Sequence, residues 1–155
     1  MSRTTASTGG AEVRPIVVGV DGSDYSKRAL KWAAEQSRLT GLALVAVTTW
    51  EWPVALGWAG PWPEDLDLEA GAHQTLKASV EETLGADQPP NTALRVVQGH
   101  AASVLTKLSD EASLLVVGSR GHGEFAGLLL GSVSEFVAAH ARCPVVVVRR
   151  REDDR

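Results

Sequence analysis

Apolar runs and helical patterns alternate along this chain. Five short runs are rich in Val, Ile and Leu, and three of them are nearly unbroken, which is typical of strands buried on both faces of a parallel sheet. Between them, apolar residues recur at helical spacing. The pattern predicts the order β-α-β-α-β-α-β-α-β and an α/β fold with helices on both faces. The predicted strands cover residues 16–20, 42–48, 92–98, 114–117 and 145–148.

The first two predicted helices have clear start and stop signals. Residues 25–39 place apolar positions on one face, with Ser23 or Asp24 as the N-cap and Gly41 as the stop. Residues 66–84 carry acidic residues near their start, which favour the positive end of the helix dipole, and Gly85 can end the helix.

The last two predicted helices are shorter. Residues 101–109 form the third, and its inward face is predicted to consist of Ala101, Val104, Leu105 and Leu108. The fourth begins at Ser132-Val133-Ser134-Glu135, which reads as a capping box with Ser132 as the cap, and it ends before Cys143-Pro144.

Residues 50–63 interrupt this alternation. Four tryptophans are mixed there with Pro and Gly, so the pattern predicts a loop rather than a helix or strand. Its indoles either cover the sheet edge or the second helix, or they form a lid or a partner surface, because long loops in compact domains are often functional.

Length and composition indicate one domain. The chain has 155 residues, a net charge of -4 and a sequence pI of about 5.5, with basic residues scattered rather than in a stripe. Nucleic acid is therefore not an expected partner. A membrane location is not expected either, because no apolar run reaches spanning length, and a single cysteine fits a cytoplasmic protein. We expect a flexible tail over residues 1–14, a domain over 15–149 and a charged tail over 150–155.

The candidate chemistry lies after the fourth strand. A glycine-rich loop there leads into the start of the fourth helix, with the spacing Gly118-x2-Gly121-x9-Gly131-Ser132. The first amides of a helix lack intrahelical partners, so such a loop can hold a phosphate with backbone N–H groups. The pattern differs from a P-loop, which needs Gly-Lys-Ser/Thr, and from the G-x-G-x-x-G dinucleotide motif.

This spacing resembles, without a mismatch, the ATP-binding motif of the universal stress protein family. The resemblance covers nearly the whole chain from Pro15 to Arg149. It includes Val20-Asp21-Gly22-Ser23, Gly99-His100-Ala101 and the Cys143-Pro144-Val145-Val146-Val147-Val148 ending. It implies a five-stranded parallel, Rossmann-like sheet of the adenine nucleotide alpha hydrolase-like type, and a homodimer made by the last strand.

The resemblance also implies a role for each matching position. Asp21 would approach the ribose or adenine, and the backbone of Val47 would hold the adenine edge. The ribose and phosphates would lie along Val117, Gly118 and Gly121, and the phosphates against Gly131, Ser132 and Val133. From its place inside the loop, Arg120 could reach the phosphates, although such an arginine is more often simply solvated.

Two of these positions have a structural alternative. Asp21 could cap the turn after the first strand, because Asp-Gly is a common turn pair. Ser132 could serve only as the cap of the fourth helix, with Glu135 reciprocating. Both roles are compatible with a bound phosphate, because the cap and the N-terminal amides occupy the same corner.

The predicted function is nucleotide binding. Without a P-loop lysine, phosphate recognition would depend on amides and on Mg²⁺, which bridges phosphates with few protein ligands. No metal site is evident in the sequence, and no G-x-S-x-G nucleophile motif occurs. The leading hypothesis is an ATP-binding stress or regulatory module. The alternatives are a slow ATPase or phosphotransferase at the same site, and an interaction domain without nucleotide.

Overall fold

The computed structural model describes residues 12–53, 61–122 and 129–151. Trp58 and the outer parts of both predicted tails, residues 1–11 and 152–155, lie outside these ranges, as do Gly123 and Gly127 of the glycine-rich loop. The five strands and four α-helices of the fold lie within the described ranges.

Five parallel strands form one sheet, as predicted. Their order is β3-β2-β1-β4-β5, and each neighbouring pair is parallel. β1 is therefore the central strand, and β3 and β5 are the edges. The strands are β1 (Ile16–Gly19), β2 (Leu44–Trp50), β3 (Thr92–Gln98), β4 (Leu114–Gly118) and β5 (Val145–Val148).

Four α-helices cover the two faces of the sheet. One face is covered by α1 and α2, and the other by α3 and α4, so each face has its own apolar core. This arrangement is a Rossmann-like α/β fold. The helices are α1 (Asp24–Thr40), α2 (Leu68–Leu84), α3 (Ala101–Leu108) and α4 (Ser132–His140).

The ends of α1 follow the capping signals in the sequence. Ser23 is the N-cap, and its hydroxyl accepts the N–H of Ser26 at 3.2 Å. Gly41 ends the helix with a φ of 74°, the left-handed conformation that glycine adopts without strain, and its N–H donates to Ser37. The predicted inner face is confirmed, since Leu30 and Ala33 are completely buried.

The predicted boundaries lie within about two residues of the observed ones, and two of the differences have a clear structural cause. β2 continues to Trp50, because its last residues stay paired with β3 through Gln98, so Trp50 belongs to the sheet and not to the loop. α2 begins at Leu68 rather than at residue 66, because the side chain of Asp67 caps the amide of Ala70 at 2.9 Å.

The predicted cap of α4 was wrong. The N-cap is Gly131, whose carbonyl accepts the N–H of Glu135 at 2.9 Å, and Ser132 is the first helical residue. The hydroxyl that does bind locally is that of Ser134, which donates to the carbonyls of Ser119 and Gly131 at 2.9 and 3.0 Å. The start of α4 is thus fastened to the loop after β4 by Ser134.

Across the three described ranges, no helix is long and apolar enough to cross a membrane.

Candidate functional site

The strand order reverses direction between β1 and β4. The chain runs from β1 outwards to β2 and β3, then returns to the other side of β1 for β4 and β5. In open parallel sheets, ligands bind beyond the carboxyl ends of the strands at such a switch point. A cleft of about 480 Å³ opens at this position, and we call it the β1/β4 cleft.

All nine residues predicted for the site line the β1/β4 cleft. They come from three segments that are distant in sequence, namely the ends of β1 and β2 and the stretch from β4 to α4. The nine are Asp21, Val47, Val117, Gly118, Arg120, Gly121, Gly131, Ser132 and Val133. The structure therefore brings together every position that the sequence indicated, although shared lining does not by itself assign a role to any of them.

Asp21 holds the turn that follows β1. One carboxylate oxygen, Oδ1, accepts the backbone N–H of Ser23 at 2.9 Å and also its hydroxyl. The structural alternative for Asp21, a turn cap, is therefore observed. The second oxygen, Oδ2, points across the cleft to the loop after β4, so one side chain serves the turn and faces the site.

Two glycines of the motif, Gly118 at the end of β4 and Gly121 in the loop, lie directly against neighbouring protein atoms. A Cβ on Gly118 would lie 2.7 Å from the backbone carbonyl carbon of Tyr25, at the start of α1. A Cβ on Gly121 would lie 2.7 Å from Oδ2 of Asp21. A side chain at position 118 would therefore displace the backbone of α1, whereas one at position 121 would displace the Asp21 carboxylate.

The loop after β4 is also tied to the start of α4. The N–H of Gly131 donates to the carbonyl of Ser119 at 2.7 Å. The next amides, those of Ser132 and Val133, belong to the first turn, where backbone N–H groups have no intrahelical partner. Ser132 is exposed, so these donors and the positive end of the helix dipole meet solvent at the cleft.

Two basic side chains from the same loop border the cleft. Arg120 is half-buried and lines it. His122 is exposed, and its Nε2 bonds to the backbone carbonyl of Asp21, which requires the proton of a neutral ring to be on Nε2. The loop after β4 is therefore fastened to the turn after β1 as well as to α4.

The backbone of Val47 takes part in the pairing of β2 with β1. Its carbonyl accepts the N–H of Val20 at 2.8 Å. A carbonyl oxygen has a second lone pair, so contact of the Val47 backbone with an adenine edge stays a prediction. The side chain is almost completely buried, so Val47 contributes chiefly to the apolar wall beneath the cleft.

Most of that apolar wall was not predicted from the sequence. Leu105 and Ala101 of α3 line the cleft, and Leu105 lies against β1, where a Cβ on Gly19 would be 3.0 Å from its Cδ1. Both residues were predicted only as the inner face of α3. Thr49 also lines the cleft, and its position at the carboxyl end of β2 was the available signal.

Comparisons with known proteins identify similar sequences. The family model described as "Universal stress protein family" matches residues 12–149. A universal stress protein of Mycobacterium tuberculosis strain H37Rv is 40% identical over 139 residues, which are 87% of this chain but only 45% of that protein. This chain therefore spans about half the length of that relative.

Solved structures with this fold include complexes with adenine nucleotides. A universal stress protein in complex with cAMP is 30% identical, with a TM-score of 0.66 over 90% of this chain and 98% of that one. The universal stress protein from Archaeoglobus fulgidus in complex with dAMP is 25% identical, with a TM-score of 0.63 over 87% of this chain and 97% of that one.

Proposed function

This chain belongs to the universal stress protein family, and we propose that it binds ATP in the β1/β4 cleft as a nucleotide-dependent stress or regulatory module. One observation carries the proposal. The first turn of α4, whose N–H groups have no intrahelical partner, lines the cleft at the switch point of the sheet, beside a loop fastened to the turn after β1 and to α4. Such amides, with the helix dipole behind them, favour an anionic ligand.

Solved structures of relatives support an adenine nucleotide as the ligand. Two of them were solved with cAMP and with dAMP, and both share this fold over most of their length. The step from adenine nucleotide to ATP rests on the spacing Gly118-x2-Gly121-x9-Gly131-Ser132, which matches the family's ATP-binding motif.

Each part of the cleft suits a different part of the ligand. The amides of Ser132 and Val133 would hold phosphate oxygens, with Arg120 supplying a charged donor. Oδ2 of Asp21 would accept a ribose hydroxyl, since Oδ1 is already used by Ser23. The apolar wall formed by Val47 and Leu105 would pack against the flat face of the base.

Mg²⁺ would bind in complex with the nucleotide. Within the described residues, no group of three or more His, Cys, Asp and Glu side chains could hold a metal ion. Mg²⁺ commonly keeps several waters and binds through phosphates and one or two carboxylates. The cleft fits this mode, because Asp21 and Glu135 both line it. When bound, the ion would neutralise phosphate charge beside these carboxylates.

The proposed module acts as a homodimer through β5. This strand is a sheet edge, and all four of its residues are only half-buried. An uncovered apolar edge favours pairing with another strand. A nucleotide that binds one conformation more tightly shifts the population toward it, and this is how binding could change what the dimer presents to a partner.

Thermal denaturation tests the nucleotide proposal. At a hundredfold excess over Kd, a ligand that binds only the folded state adds about 2.7 kcal/mol, or a shift of about 5–10 °C in a domain of this size. We expect Mg-ATP to produce such a shift, and mass spectrometry of the native protein should find co-purified adenine nucleotide. If millimolar Mg-ATP does not change the melting temperature, the proposal is excluded. Phosphate release in the same samples would measure any turnover.

A further inference from the structure

An aromatic surface lies beyond the carboxyl end of β2 and outside the cleft. It consists of Trp50, Trp52 and Trp62, which we call the tryptophan surface. The ring centroids of Trp50 and Trp52 are 6.1 Å apart and nearly perpendicular, and those of Trp52 and Trp62 are 5.8 Å apart. Trp52 is 41% exposed and Trp62 is 37% exposed. Large aromatic rings grouped in this way at the surface are typical of interaction sites.

The tryptophan surface is held in place before any partner arrives. Trp50 is the last residue of β2, and its carbonyl accepts the N–H of Gly99 at 2.8 Å. Pro53 directly follows Trp52, and Trp62 stands between Pro61 and Pro63, so the neighbouring φ angles are fixed near -65°. Rings on a stiff backbone lose little freedom on binding, which favours affinity.

Negative charge is concentrated in the part of the sequence that carries these rings. Between Arg38 and Lys77 the sequence has five acidic residues and no Lys or Arg, whereas the rest of the chain has one more basic than acidic residue. In the described part of the chain, all five are exposed and none forms an ion pair. The five are Glu51, Glu64, Asp65, Asp67 and Glu69.

We propose that the tryptophan surface binds an arginine-bearing segment of a partner protein. A guanidinium group stacks on an indole face and forms paired hydrogen bonds with a carboxylate at the same time. Trp52 directly follows Glu51 in the sequence, Trp62 is two residues before Glu64, and all four side chains are exposed, so a segment that docks here has indole faces and carboxylates within a few residues of each other. Lysine offers the charge without the flat group, and arginine is therefore the better match.

Peptide binding to the full chain tests this proposal. The probe is a blocked peptide of alternating Gly and Arg, compared with the same peptide carrying Lys, by isothermal titration at low ionic strength. We expect the Arg peptide to bind more tightly, and Trp52→Ala or Trp62→Ala to weaken it about two- to fivefold. The double change Glu51→Gln and Glu64→Gln should weaken both peptides and reduce their dependence on salt.

A matched control removes an exposed aromatic ring that lies outside the tryptophan surface. Phe136 on α4 is also 41% exposed, so Phe136→Ala should leave binding of the Arg peptide unchanged. Circular dichroism would confirm that each variant is folded. Two tryptophan variants are used so that the test still stands if one of them does not fold. The proposal would be overturned if the Arg and Lys peptides bind equally well or not at all. It would also be overturned if a neutral proline-rich peptide binds more tightly, or if the tryptophan variants bind the Arg peptide like the wild type.

Discussion

The position of a Cβ on Gly121 lies 2.7 Å from Oδ2 of Asp21, although the two residues are 100 positions apart in the sequence. The turn after β1 and the loop after β4 thus meet with room for a hydrogen atom and no more. This contact sets the distance between the two walls of the β1/β4 cleft. A side chain at position 121 would have to displace the Asp21 carboxylate, which bonds to Ser23, before any ligand is considered.

Gly121→Ala is therefore expected to destabilise the protein without nucleotide. Overpacking of this kind typically costs about 1–3 kcal/mol, and urea denaturation would measure it. In an Asp21→Ala background the same change should cost less, because the opposing carboxylate is gone. A double-mutant cycle would report this coupling. Additive costs would show that Asp21 is not what excludes a side chain at position 121.

Gly118→Ala and Gly71→Ala should have opposite effects on the free energy of unfolding. A Cβ on Gly118 meets the backbone of Tyr25, which a rotamer change cannot relieve, so α1 must move and stability should fall. A Cβ on Gly71, within α2, meets nothing within 4 Å. Alanine there should add about 0.5–1 kcal/mol. The two variants make the same chemical change, so equal effects in thermal melts would contradict the packing argument.

Ser132→Pro should weaken ATP binding without disturbing α4. Ser132 is the first helical residue, where proline is well tolerated, and Gly131 has the extended ψ of 166° that a following proline requires. The change removes one of the amides proposed to hold phosphate. A hydrogen bond to a charged group contributes about 1.5–3 kcal/mol, so affinity should fall at least about tenfold.

Ser132→Ala is the matched control for that amide. It removes the hydroxyl but keeps the N–H, so it should bind ATP nearly as tightly as the wild type. Calorimetric titration would separate the two variants. If both lose the same affinity, the hydroxyl rather than the amide holds the ligand.

Val147→Pro should weaken the proposed dimer, whereas Val147→Ala should not. The carbonyls of Pro144 and Val148 bond to β4, and the alternation of a parallel ladder then leaves the N–H of Val147 on the outer edge. Proline removes that outer donor. Val146→Lys is a poorer test, since Val146 packs against the core under α1. Sedimentation velocity would measure the result, and a wild type that is strictly monomeric would contradict the β5 dimer.

Cys143 should react slowly with iodoacetamide in the folded protein. Partial burial raises the pKa of its thiol, although hydrogen bonds with the backbone oppose the shift. A raised pKa leaves less thiolate at any pH below it, and the thiolate is the reactive form. Since the chain has one cysteine, mass spectrometry reports this site alone. Alkylation at pH 8 should accelerate in urea, and equal rates in both states would contradict the effect of burial.

The sheet was predictable because its signals are local. Buried parallel strands have nearly continuous Val and Leu runs, and all five were located within about two residues. Both ends of α1 were found because the Ser23 cap and the left-handed Gly41 are local signals as well. The cap of α4 was misassigned because Ser132 and Gly131 both suit that position, and the choice depends on the contact of Ser134 with the loop after β4.

The cleft was only partly predictable, because some of its features depend on contacts between residues that are far apart in the sequence. The glycine spacing and the strand ends located its polar rim. They did not reveal what the glycines are for, because the atoms that exclude a side chain at Gly118 belong to Tyr25, 93 residues earlier in the sequence. The use of the Val47 carbonyl by Val20 depends equally on strand register, which the sequence pattern alone does not specify.

The separation of Asp21 from Gly121 has a consequence for biosynthesis. During translation the turn after β1 emerges early, but its partners in the loop after β4 and at the start of α4 follow about 100 residues later. At a translation rate of about 5–20 residues per second, the two segments that form the walls of the cleft are synthesised several seconds apart. Nucleotide thus has no complete site on the nascent chain until most of the sheet has been made, and a bound ligand can stabilise only a nearly finished fold.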